Sequence, residues 1–147
     1  LKAVEALLNS SLKKPANIPL IGAHHNPPQT KELLSQQIHE LREYIPKSSL
    51  AERQIEHLQS SYGLKALEII ANSDPSQRDP LSEVIPICEA EIKHSINQEH
   101  AQTPTDVLAR RCRIAMVNFS EAKRLLSIVQ THLSKARLPH GELNLEH

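Results

Sequence analysis

The chain has 147 residues, enough for one domain with a sizeable core and barely enough for two small ones. Seventeen Lys and Arg balance seventeen Asp and Glu, so the formal net charge is zero. That argues against a dedicated nucleic-acid binder, whose affinity needs a surplus of cations facing phosphates. Only three glycines are present, too few for most phosphate-cradling loops, and with 2% aromatic residues the core must be built from Leu, Ile, Val and Ala.

Leu1 to Leu12 carries Val4, Leu7, Leu8 and Leu12 as a short helical stripe that ends before Pro15. Residues 15–29 read as a Pro-rich linker, within which Ile18 to Ile21 looks like an extended segment that docks on something. Thr30 is expected to cap a helix with Leu33, Leu34, Ile38, Leu41 and Ile45 inward, stopped by Pro46. Ser49 with Glu52 forms a capping-box pattern for the next helix, with Leu50, Ile55 and Leu58 inward. Gly63 is a stop signal, and a short helix bearing Leu64, Leu67, Ile70 and Ala71 follows it.

After a loop from Asp74 to Pro80, a helix is expected from Cys88 to about Gln102, with Ile92 and Ile96 one turn apart. Thr103, Pro104 and Asp106 make a strong start for the next helix, which carries Val107, Leu108, Ile114 and Ala115. Asn118 and Glu121 open a final helix lined by Ala122, Leu125, Leu126, Val129 and Leu133. No segment alternates as a half-buried strand does. The predicted architecture is all-α, an orthogonal bundle of about seven helices with no sheet. No apolar run approaches the roughly 20 residues that span a bilayer, and the residues from Leu1 onward are not expected to be a signal peptide.

Nine histidines invite a metal reading, but His24/His25, His39/His57 and His94/His100 all miss the i,i+4 spacing that places two ligands on one helical face. Cys88 and Cys112 do not form a metal pair, and reduced, partly buried thiols are the expectation for them. The serine pairs at 10–11, 48–49 and 60–61 sit at helix ends, where serine acts as a cap. No catalytic, cofactor-binding or metal residue is therefore assigned.

The ambiguity lies in Glu89 to Met116. Arg110, Arg111 and Arg113 are either the anion-binding residues of a freestanding helical module that takes nucleic acid or another anionic partner, or structural ion-pair partners of Glu89, Glu91 and Asp106. On an α-helix the three arginines spread over a wide arc and cannot all enter one groove, which with the charge balance favours ion pairing.

The same block resembles the C-terminal helical domain of FAD-dependent, quinone-linked glycerol-3-phosphate dehydrogenase. The resemblance is carried by Glu89-Ala90-Glu91-Ile92, Thr103, and Thr105-Asp106-Val107-Leu108-Ala109-Arg110-Arg111-Cys112-Arg113 with Ile114-Ala115-Met116. Upstream, His57-Leu58, Ser61-Tyr62-Gly63 and Ile18-Pro19-Leu20-Ile21-Gly22 belong to the same ordered series, and Cys112 departs from it where a threonine is usual. The resemblance implies that residues 1–14 are the tail of a preceding flavoprotein core, 15–29 a linker and 30–140 a helical C-terminal domain; Leu145-Glu146-His147 is by its own residues expected to be a tag remnant. The resemblance further implies a parent enzyme that oxidises sn-glycerol 3-phosphate to dihydroxyacetone phosphate and passes electrons through FAD to a quinone. The fragment itself would hold no cofactor and do no chemistry. Its partner would be its own FAD-binding core, with a homodimer as an option, no nucleic acid, and at most peripheral membrane association. Its location would be cytoplasmic, or on the inner membrane with the parent. Quinone or oxygen as acceptor is not encoded in these residues.

Overall fold

The computed structural model describes residues 18, 20–24 and 26–137. The expected helix at 1–12 and the terminal 145–147 lie outside the described residues. Among those residues there is no strand, and the fold is all-α as the periodicity predicts. The one β-type pairing is an isolated bridge between Pro80 and Cys88.

Helix α1 spans Pro27–Tyr44 and begins ahead of Thr30. Asn26 is the extended N-cap and prolines occupy the first turn, where a missing N–H leaves no gap in the ladder. Thr30 instead uses its hydroxyl to accept from the His24 backbone N–H at 2.9 Å, tying the incoming chain to the first turn. The helix ends because Ile45 precedes Pro46 and is forced extended (φ −78°, ψ 131°). Helix α2, Ala51–Tyr62, is not capped by Ser49 and Glu52. Ser48 Oγ accepts from Leu50 N at 3.2 Å, and both Glu52 oxygens are taken at 3.0 Å by Arg42 of α1. A bidentate guanidinium holds a carboxylate better than a lone backbone N–H does.

Helix α3, Lys65–Ala71, follows at once. Its buried residues are Ala66, Ile69 and Ile70, while Leu64 and Leu67 are half-buried. A 3₁₀ turn at Pro75–Gln77 opens with Asp74 accepting from Ser76 N, and α4 runs from Glu89 to Asn97. The segment between them is irregular but not superficial: Ile87 is fully buried and its carbonyl accepts from Leu81 N at 2.7 Å.

The expected helix from Thr103 starts as predicted. Thr103 Oγ1 accepts from Asp106 N, and Asp106 Oδ2 accepts from Thr103 N at 2.9 Å. Its interior departs from the α form: Asp106–Arg111 is a π-helix, closed by Cys112 N donating to Val107 O. Arg113 then takes a left-handed conformation (φ 58°) before α5, Ile114–Val117. Helix α6, Phe119–Arg137, is capped by Asn118 Oδ1 accepting from Glu121 N at 3.0 Å.

Two apolar clusters hold these elements. One gathers Leu41, Ile45, Ile55, Leu58, Ala66, Ile69 and Ile70 from α1–α3 with Cys88 and Ala90. The other gathers Ile92, Val107, Leu108 and Ile114 against Ala122, Leu125, Val129 and Leu133 of α6. Helix α4 belongs to both, through Ala90 on one side and Ile92 on the other. Each fully buried Leu or Ile contributes about 1.5–3 kcal/mol of apolar burial, so α4 is the strut that joins the two clusters.

Candidate functional site

The acids on α4 are placed by the strut. Glu91 is 3% exposed; its Oε2 accepts from Cys88 N at 2.9 Å and its Oε1 lies 2.7 Å from His57 Nε2 on α2. Glu89 lies 2.7 Å from His132 Nε2 on α6. One helix turn thus reaches both clusters through a carboxylate–imidazole contact. Sequence reasoning missed both histidines, because the partners stand far apart in the chain and no spacing rule connects them.

The predicted set meets as an acid–arginine pair at Asp106 and Arg110, one turn apart. Arg111 goes elsewhere, with Nε 3.2 Å from Glu99 Oε2 and Nη2 donating to the Glu99 carbonyl at 2.9 Å. Arg113 has no carboxylate partner among the described residues. Hydrogen bonds from Thr103 first, then from the Gln102 and Thr103 backbone and Arg110, hold the Asp106 carboxyl down at about 2.

Arg110, Arg111 and Arg113 nevertheless line one cleft of about 530 Å³. The expectation that they diverge assumed steps of about 100° per residue on an α-helix; the π-helix and the left-handed residue after it change the bearing of the chain, although the Arg110 guanidinium itself goes to Asp106, outside the cleft lining. The cleft's other wall is His57, Ser60, Ser61 and Tyr62 of α2, with Val117 of α5 at its edge. Burial pushes the Tyr62 phenol well up, with Glu91 and Glu99 adding to it, so the phenol keeps its proton. Its ring meets His94 edge-on at 5.6 Å.

Beside Tyr62 the incoming segment is seated. Gly63 adopts φ 57° and ψ −134°, and Leu64 N donates to the Gly22 carbonyl at 2.8 Å. A Cβ on Gly63 would collide with the Gly22 carbonyl, and a Cβ on Gly22 with the Tyr62 carbonyl. The docking predicted for Ile18 to Ile21 is therefore done by the adjoining Gly22, while Ile18, Leu20 and Ile21 themselves stay 78–92% exposed.

Chemically, this arrangement offers cations and hydrogen-bond donors rather than a nucleophile. Both cysteines are free thiols, and burial raises each of them, so neither is poised as a thiolate. Cys112 Sγ lies 3.7 Å from the Leu108 carbonyl, the back-bond position a threonine hydroxyl takes on a helix. Among the described residues no three of His, Cys, Asp and Glu gather to hold a metal, and no helix is long and apolar enough to cross a membrane.

The segments that meet at this cleft are those that carry the family resemblance. The profile of the family described as "C-terminal domain of alpha-glycerophosphate oxidase" matches residues 14–137. The chain belongs to this family. It is a C-terminal domain of the glycerol-3-phosphate dehydrogenase group, and named relatives agree. It is similar to a probable mitochondrial glycerol-3-phosphate dehydrogenase of Dictyostelium discoideum, 31% identical over 73% of this chain and 15% of that protein. It is also similar to the mitochondrial glycerol-3-phosphate dehydrogenase SDP6 of Arabidopsis thaliana, 26% identical over 86% of this chain and 22% of that protein. A shorter stretch of 50 residues is 44% identical to the mitochondrial glycerol-3-phosphate dehydrogenase of Schizosaccharomyces pombe. The domain matches no solved structure. It spans 15–22% of the length of the first two relatives.

Proposed function

We propose that this domain is the helical cap of an FAD-dependent glycerol-3-phosphate dehydrogenase that oxidises sn-glycerol 3-phosphate to dihydroxyacetone phosphate and hands the electrons to a quinone. The observation that carries the reading is the family match across residues 14–137, which takes in every described element. The relatives are named for glycerol-3-phosphate dehydrogenation, and none of those names bears on nucleic acid.

The described residues do not fit FAD. A dinucleotide site needs glycines free to let backbone approach a pyrophosphate, whereas Gly22 and Gly63 are packed against one another. The cofactor and the substrate-oxidising groups belong to the preceding part of the polypeptide, and the cap contributes structure. Its location follows the parent: the names of the relatives support a mitochondrial one, and peripheral attachment to the inner membrane belongs to the same proposal.

The test is the full-length protein with glycerol 3-phosphate and a short-chain quinone. The expected result is a flavin absorbance spectrum that bleaches on adding substrate and recovers on adding quinone. A full-length protein that carries no flavin, or whose flavin is untouched by glycerol 3-phosphate, would overturn the reading.

A further inference from the structure

We infer that the face formed by Arg110, Arg111 and Arg113 with Met116, Val117 and Phe119 docks onto an acidic, apolar-flanked surface of the preceding part of the same polypeptide. This rests on the reading that the domain is the C-terminal part of a larger enzyme.

Met116, Val117 and Phe119 are 75%, 65% and 74% exposed within four residues of chain, and Val117 lines the arginine cleft. Contiguous exposed apolar groups mark an interaction site more often than scattered ones do. This chain has one phenylalanine and one methionine, and both stand here, outside the core. The backbone that presents them is irregular: a π-helix and a left-handed, non-glycine Arg113. Conformations that cost energy persist where the surroundings need the side chains re-aimed.

Charge gives the partner's chemistry. Arg110 and Arg111 already have carboxylate partners, Asp106 and Glu99, of which Glu99 also lines the cleft. Arg113 has no carboxylate among the described residues, so a carboxylate entering the cleft would give it a partner. A second copy docking by a two-fold axis here would set arginines against arginines. A nucleic acid would meet Glu99 and three exposed apolar side chains.

Chain path and length identify the owner of that surface. The segment leading into the domain is anchored by Gly22 against Tyr62 and Gly63, and Tyr62 lines the same cleft. Ile18, Leu20 and Ile21 are exposed just before that anchor. The chain covers only 15–22% of relatives in a family whose matched part is C-terminal, so most of such a protein precedes it.

The experiment is site-resolved cysteine labelling in the full-length protein, read by mass spectrometry so that Cys88 and Cys112 do not interfere. Met116→Cys, Val117→Cys and Phe119→Cys are compared with Glu43→Cys and Ser134→Cys, exposed positions on α1 and α6. Using three positions keeps the test intact if one variant does not fold. The expected result is maleimide labelling about tenfold slower at the three face positions than at the two controls, as for side chains in an interface core. Adding Arg113→Glu should restore most of the rate and Arg113→Lys should not. Face positions that label as fast as the controls overturn the docking, even if the flavin bleaches with substrate. Protection that vanishes on dilution, or that appears only when duplex DNA is added, assigns the face to a second copy or to nucleic acid and also overturns it. Protection in a protein whose flavin does not respond to glycerol 3-phosphate leaves the docking standing and removes the enzyme assignment.

Discussion

The two apolar clusters are built on different terms. Around α1–α3 the helices are regular, with positive φ only at the glycines Gly22 and Gly63 among the described residues, and the interior is stitched by glutamines. Gln37 donates to the Leu64 carbonyl at 2.7 Å, Gln54 to the Arg78 carbonyl at 2.7 Å and Gln59 to the Leu34 carbonyl at 2.8 Å. Around α6 the buried side chains are aliphatic, but the backbone opposite is irregular, with positive φ at His100 and Arg113 and a π-helix between them. A polar amide fixes helix register because an unmade buried hydrogen bond is expensive. An aliphatic core tolerates any backbone path that keeps the same side chains inside. The second cluster can therefore carry a non-α segment beside its core. The first is held by amide donors to fixed carbonyls, even though Gln54 Oε1 itself is buried without a hydrogen-bond partner among the described residues.

The largest effect should come from the aliphatic side. Leu125→Ala opens a void under α6 where the residue is fully buried, and about 3–4 kcal/mol of unfolding free energy should be lost in urea titration. If the loss is below 1 kcal/mol, the second cluster is loosely packed and the contrast fails.

Next comes the strut. Glu91→Ala strands both His57 and the Cys88 N–H in a buried place and should cost about 3 kcal/mol, whereas Glu89→Ala, at a half-buried site, should cost about 1 kcal/mol or less. Equal losses in melting experiments would mean α4 is not anchored more deeply on the α1–α3 side.

A smaller change of opposite sign tests the irregular backbone. Arg113→Gly removes the left-handed penalty at φ 58° and should raise stability by about 0.5–1 kcal/mol in thermal unfolding. A fall would mean the arginine side chain contributes more to the isolated fold than its backbone costs.

The smallest effect is acid-linked. The folded Asp106 carboxyl titrates at about 2, below its ordinary 3.8, so the unfolded chain takes up that proton first. Its stabilisation is present above pH 3.8 and is lost as pH falls toward 2. Asp106→Asn should be less stable than the parent at neutral pH, with the gap narrowing through that window; a gap constant from pH 5 to pH 2 would refute the assignment.

Much of the fold was legible because helix ends and apolar periods are local. Pro46, Gly63, the Thr103–Asp106 box and the Asn118 cap act where the pattern places them. The buried glutamines were not legible, since Gln37 on α1 looks like a surface residue until Leu64 presents a carbonyl to it. Helix starts were missed where a stronger partner intervened, as Arg42 did for Glu52.

The sequence alone determined the helical class, most of the aliphatic core and the family, all of which rest on short-range pattern and ordered residue identity. Tertiary structure alone decided where the charges went. Glu89 and Glu91 found histidines on two different helices, and Arg110, Arg111 and Arg113 came to border one cleft. A side chain's partner depends on the bearing of the backbone that carries it, and one π-helix with one left-handed residue changes that bearing while the aliphatic pattern continues through it.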